Sequence, residues 1–142
     1  MIRAVMDTNT LISAIINTKG SVSEEIYQNF MAQQFSLIIS YGILEEVEDV
    51  SNRERVIKRH KLSTKEREVI ISELTALSYI VPGTTRVEVV RDPDDNKVVS
   101  AALEGKADYI VSRDKDLLDL KEYEGIKIIS PEEFMGILRA ER

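Results

Sequence analysis

The sequence contains no cysteine, which removes disulfides, thiolate zinc sites and thiol nucleophiles together and fits most easily with a reducing compartment. Histidine occurs once, as His60. A catalytic metal would therefore be held mainly by oxygen, which favours Mg²⁺ or Mn²⁺ over zinc. Long apolar runs are missing as well: the stretch from Ile2 to Met6 is interrupted at once by Asp7, too short for a signal peptide, and nothing approaches the length of a membrane span. The expectation is a cytoplasmic protein with no membrane partner. There is no excess of positive charge either. A net charge of −6 argues against a protein that coats nucleic acid with its whole surface, because non-specific binding rests on phosphate neutralisation.

What is present is a chain of 142 residues, 43% hydrophobic and 31% charged, enough to bury a core as one globular domain over residues 1–142. No repeat, linker or low-complexity segment divides it. Short apolar stretches at 2–6, 35–39, 78–81, 109–111 and 126–129 read as strands, with 85–90 as an extended connection or minor strand. Between them lie segments of helical period, opened by Ser21 with Glu24, by Ser40, and by Ser63 with Glu66, and closed at the end by a helix over 131–139 whose first turn holds Pro131. Serine followed three residues later by glutamate marks a capping box, and proline tolerates a first helical turn. Strands alternating with helices predict an α/β fold, a three-layer α/β/α sandwich with a central, mainly parallel sheet of about five strands.

The stretch DPDDNKVVSAALEGKADYIVSRDKDLL carries most of the functional signal. Asp92 before Pro93 is a helix start, and Val98, Val99, Ala102 and Leu103 recur at helical spacing, which puts Asp95 on the packing face. Asp94, about 100° round the helix, shares its side with Lys97 and is expected to be solvated. Gly105 is expected to end the helix as a left-handed glycine. Residues 109–111 then form a buried strand from which the chain emerges as Ser112-Arg113-Asp114. An acid just past the carboxyl end of such a strand is where open α/β sheets gather ligands.

Two further acids fit the same description. Asp7 follows the first strand and precedes Leu11, Ile12, Ile15 and Ile16 at helical spacing; the alternative for it is a plain helix cap. Glu46 completes a stripe with Ile43, Val47 and Val50, whereas Glu45, Glu48 and Asp49 fall off it; the alternative for Glu46 is an acid at the stripe's edge paired with a lysine. Converging carboxylates repel and raise one another's pKa unless a cation neutralises them, which points to a hard divalent metal. The basic cluster of Arg53, Arg55, Lys58, Arg59, His60, Lys61, Lys65 and Arg67 reads either as an RNA-facing rim or as a solvated face without interleaved aromatics.

With MDTNTLISA, SYGILEEVEDV, DPDDNKVVSAAL, ADYIVSRDKDLL and IISPEEF in this order, the sequence resembles the PIN-domain nucleases, and within them the VapC-type toxins and their relatives, over nearly its whole length. The resemblance implies a PIN-like fold and a single-strand ribonuclease. It places the acidic site on Asp7, Glu46, Asp95 and Asp114, with Asp116 as a fifth metal ligand and Asn9 and Ser112 in support. Mg²⁺ or Mn²⁺ would activate water for in-line attack on phosphorus, leaving a 5′-phosphate and a 3′-hydroxyl. Ser112 stands where many members have threonine and Arg113 where glycine is frequent, so that Arg113 joins Arg55, Lys58, Arg59 and Lys61 as a candidate RNA contact. A homodimer, and an antitoxin protein as partner, are further implications.

The competing class is a non-catalytic PIN-like scaffold that binds a cation, RNA or a partner protein through the same groove. Receiver-like domains need an acidic pair after the first strand and a lysine after a late one, and neither Asp7-Thr8-Asn9 nor Ser112-Arg113-Asp114 supplies it. A phosphatase of the haloacid dehalogenase type needs aspartate where Asn9 stands.

Overall fold

The structure, a computed structural model, describes residues 1–16, 20–53, 56 and 63–141. Along the chain come β1 (Arg3–Met6), α1 (Thr8–Ile15), α2 (Val22–Met31), β2 (Ser36–Ser40), α3 (Tyr41–Ser51), α4 (Thr64–Leu77) and β3 (Tyr79–Val81). They are followed by α5 (Pro93–Glu104), β4 (Tyr109–Val111), α6 (Lys115–Leu120), β5 (Glu122–Tyr123), β6 (Ile126–Ile129) and α7 (Pro131–Ala140). Residues 85–90 form an extended connection, not a strand. Among the described residues no helix is long and apolar enough to cross a membrane.

The strands pair in the order β3-β2-β1-β4-β6-β5. Every pairing is parallel except that of β5 with β6. The central strands are apolar nearly throughout, with Ala4, Val5, Ile38, Ile39, Ile110 and Val111 buried, as expected of parallel strands covered by helices on both faces. This is the α/β sandwich read from the sequence, with one correction: the sheet has six strands, not five. The extra strand, β5, is a two-residue edge joined to β6 through Glu124 and Gly125, whose φ values of 49° and 82° suit a tight hairpin turn.

Each described helix opens on a serine or aspartate whose side chain accepts a backbone N–H: Asp7, Ser21, Ser40, Ser63, Asp92, Asp114 and Ser130. Such caps contribute about 1 kcal/mol each. The box at Ser63 and Glu66 is complete. At α2 the reciprocal half differs, because Glu24 accepts the N–H of Gly20 at 3.3 Å, one residue before the cap.

Gly105 also departs from expectation. Its φ is −88°, and Lys106, at φ 53°, makes the left-handed turn instead. Glycine is needed at 105 for close approach: a Cβ there would lie 2.6 Å from Ile38 Cγ2 on β2. The connection after β3 is tied to α5 by side chains in place of a ladder. Glu104 accepts the N–H groups of Gly83, Thr84 and Thr85 at 2.6, 2.9 and 2.7 Å, and Asn96 accepts those of Val89 and Val90, both at 3.0 Å.

One consequence of the strand order positions the site. β1 and β4 are neighbours, but β1 leads through α1 and α2 to β2 on one side, and β4 leads through α6 and β5 to β6 on the other. The carboxyl ends of β1 and β4 therefore border the crevice where the winding reverses, the position at which open α/β sheets bind ligands.

Candidate functional site

Asp7 and Ser112 are set side by side at this reversal. The amide of Asp7 donates to Val111 O at 3.3 Å and that of Ser112 to Ile129 O at 3.0 Å, extending the parallel ladders one residue beyond β1 and β4. Asp7 is 8% exposed. It accepts the N–H of Thr10 at 2.8 Å as the cap of α1, and its second oxygen receives the hydroxyl of Ser112. Ser112 is fully buried, and its Oγ in turn accepts the backbone N–H of Asp114 at 2.9 Å. Asp114 caps α6, accepting from Asp116 N at 2.8 Å and Leu117 N at 3.4 Å.

Across the crevice α5 presents Asp95. Helical period separates it from its neighbour as the sequence predicted: Asp95 is buried at 6% exposure, while the Asp94 side chain is 69% exposed and pairs with Lys97 at 3.4 Å. Oδ2 of Asp95 is buried without a hydrogen-bond partner among the described residues. Asp95, Asp114 and Asp116 each offer a carboxylate oxygen, and these lie within 4.8 Å of one another. Burial, then the charges of Asp114, Asp92, Asp7 and Asp116, push the Asp95 carboxyl up to about 6. A buried anionic oxygen with no donor, surrounded by like charge, has the electrostatics of a cation site.

The remaining acids are arranged differently from one another. Asp7, Glu46, Asp95 and Asp114 all line one cleft of about 370 Å³, together with Thr8, Asn9, Asp92 and Arg53, but only Asp95 and Asp114 of the four belong to the tight triplet. Glu46 is not buried on its stripe. Its side chain is 32% exposed and accepts from Thr8 Oγ1 at 2.8 Å and Lys97 Nζ at 3.1 Å, so the alternative of an edge acid paired with a lysine describes its surroundings. The stripe is right for Ile43 and Val47, which are buried; at the position of Glu46, Lys97 reaches over from α5 in place of an apolar cover. Asp116 is held by Arg91, at 3.2 and 3.1 Å from its two oxygens.

Asn9 is exposed on the cleft wall. Arg113, read as an RNA contact, is bound to Glu132 of α7 at 2.7 Å and is not among the cleft residues, because the chain turns its side chain toward the closing helix. Arg55, Lys58, Arg59 and Lys61, with His60, lie outside the described residues; of that cluster Arg53 reaches the cleft. Sequence reasoning took Asp92 as a cap alone and passed over Thr8 and Arg91, whose roles come from tertiary neighbours.

The chain is similar to known proteins in both sequence and fold. A model of the PIN domain matches residues 3–116, which spans β1 through Asp116. An uncharacterised protein of Methanocaldococcus jannaschii is 29% identical over 152 aligned positions, covering 94% of this chain and 90% of the relative. Among solved structures, a chain of VapBC2 from Rickettsia felis, crystallised with a DNA fragment from its promoter, superposes with a TM-score of 0.60 at 14% identity, covering 91% of this chain and 98% of that one.

Proposed function

Because the chain belongs to the PIN-domain family, we propose that it is an endoribonuclease that hydrolyses phosphodiesters of single-stranded RNA with Mg²⁺ or Mn²⁺, and that it is the toxin of a toxin–antitoxin pair. The observation that carries the reading is the buried, donorless Oδ2 of Asp95 beside Asp114 and Asp116 at the sheet reversal. Likeness to a VapBC2 chain supports the toxin assignment. We propose further that residues 1–142 act as one domain, in the cytoplasm, as a homodimer met by an antitoxin.

In this reading Asp95, Asp114 and Asp116 would hold a cation, Asp7 and Glu46 would supply further carboxylate ligands from the same cleft wall, and Asn9 would support them. When bound, the ion supplies an activated water and stabilises the entering and leaving oxygens of an in-line displacement. Asp95 is preorganised by its place on the first turn of α5, where burial removes competing water. Ser112 fixes Asp7 and the backbone of Asp114 together, so that the two strand-end acids keep their spacing. Asp7 adds its charge from a buried position, accepting from Thr10 N and Ser112 Oγ, and Glu46 adds its own from the cleft edge, accepting from Thr8 and Lys97. No histidine or lysine base is required.

Cleavage of a generic single-stranded RNA, with Mn²⁺ and with EDTA, tests the reading. Wild type should cleave only with metal, and Asp95→Asn should not cleave. The second reading, a non-catalytic scaffold, draws on the ion pairs of Glu46 and Asp116 with Lys97 and Arg91; metal-independent RNA binding with no cleavage would favour it.

A further inference from the structure

A second depression, of about 480 Å³, runs between residues 83–91 and α5, lined by Arg86, Arg91, Asn96 and Lys97 among others. Glu88 is the only acid among its described lining residues, and it faces Arg86 at 2.9 Å. The acid cleft, by contrast, carries Arg53 as its only cation among described lining residues. The first turns of α5 and the arm before it form the wall between the two, with Asp94 and Asp95 lining one side and Pro93 and Lys97 lining the other.

Two cations of the basic side reach across this wall. Lys97 Nζ lies 3.1 Å from Glu46 and 3.4 Å from Asp94, and Arg91 contacts both oxygens of Asp116. Both remain accessible: the side chains of Arg91 and Lys97 are 88% and 52% exposed. Exposed pairs of this kind contribute little and exchange readily for another anion. Asp116 belongs to the carboxylate triplet, so a cation held there competes directly with Arg91 for the same oxygens.

We propose that the groove between residues 83–91 and α5 is the track for the phosphate backbone of single-stranded RNA, and that Arg91 and Lys97 are shared between two anions. They neutralise Asp116 and Glu46 while no divalent cation is bound, and turn to RNA phosphates once the acids are occupied. Metal binding and RNA binding are thereby coupled through two side chains. The inference rests on the nuclease reading for the identity of the polyanion, whereas the competition between the cations and the metal follows from the ion pairs.

The test compares wild type with Arg91→Gln, Lys97→Gln and the double variant. Mn²⁺ alone is titrated calorimetrically, and anisotropy of a labelled single-stranded oligoribonucleotide is read against salt with Ca²⁺ present, the oligonucleotide being checked intact on a gel. The two readouts should move in opposite directions. The double variant should bind Mn²⁺ several-fold more tightly, its competitors having gone, yet bind RNA more weakly, with the slope of log affinity against log salt flattened by about 1.4, two contacts at about 0.7 each. Arg91→Lys should restore its share of the slope. The single variants carry the same test at half the change if the double variant does not fold. An RNA salt slope equal to wild type, or metal and RNA affinity falling together, overturns the proposal. Cleavage by wild type with an unchanged slope in the variants would remove this groove and leave the nuclease standing; opposed shifts without any cleavage would do the reverse.

Discussion

Asp7 and Asp114 are joined through a single atom: Oγ of Ser112 donates to the carboxylate of Asp7 and accepts the backbone N–H of Asp114 at 2.9 Å. The acids that follow β1 and β4 are thus held at a fixed spacing by a buried hydroxyl.

Ser112→Ala should accordingly leave a carboxylate oxygen and an amide unsatisfied, lowering stability by about 1–3 kcal/mol and cleavage by about 10–100-fold, the usual loss when a supporting hydrogen bond to a metal ligand is removed. Ser112→Thr keeps the hydroxyl and should retain most activity. Denaturant melts and initial cleavage rates decide; an alanine variant as active as wild type would show the bridge to be incidental.

Asp95→Asn should abolish RNA cleavage while Asp94→Asn leaves most of it. One carboxylate is buried in the crevice; the other is exposed beside Lys97. Equal losses in two folded variants would contradict the helical-face assignment.

The raised carboxyl of Asp95, at about 6 against 3.8 for the free group, gives a pH signature. Between those values the folded state binds a proton that the unfolded state releases, so this residue's contribution to stability falls as pH rises through the window and is lowest at neutral pH. In EDTA at pH 7, Asp95→Asn should be more stable than wild type, by at most about 3 kcal/mol, with the difference closing toward pH 4. Mn²⁺ a hundredfold above its dissociation constant should add about 2.7 kcal/mol to wild type and little to the variant. A variant that melts well below wild type at pH 7 without metal would mean that the carboxylate is structural.

Glu104 behaves in the opposite sense. Burial alone would raise its pKa, but hydrogen bonds from the side chain of Thr85 and the amides of Gly83, Thr85 and Thr84 outweigh it, and the net shift is downward. Its contribution is therefore present above the ordinary carboxylate range and lost as pH falls through the depressed value. Glu104→Gln should cost about 1–2 kcal/mol at pH 7, loosen the connection after β3, and differ little from wild type in strong acid. Amide exchange at Thr84 and Thr85 is the direct measurement.

Gly105→Ala should destabilise by about 1–3 kcal/mol through overpacking, since the added carbon meets Ile38, which is 1% exposed and stiff at its branch. Stability unchanged in the alanine variant would mean that β2 gives way.

The contrast between Asp94 and Asp95 was legible because both sit on one regular helix, where period alone assigns a face. The same reasoning served Glu46 less well. What covers a position on α3 depends on α5, and Lys97 is far away in sequence. β5 has two residues, too few for any alternation to show. Arg113 was legible as a cation but not as the partner of Glu132, a contact set by where α7 returns after β6. Capping interactions are local, and Ser21, Ser40, Ser63 and Asp92 were legible as caps, with Asp7 as an alternative, whereas Asp114 and Ser130 were not.

The order of the strands also bears on when the acidic site is completed during synthesis. Domains are made from the N-terminus at about 5–20 residues per second, and β1, β2 and β3 are neighbours that emerge first. A nascent chain that has paired them already displays Asp7 and Glu46 yet lacks the segment bearing Asp95, Asp114 and Asp116. β4 must then dock along the open edge of β1 before the acids can face one another. A ribosome stalled before that point holds a chain in which the carboxylate triplet of Asp95, Asp114 and Asp116 is still incomplete.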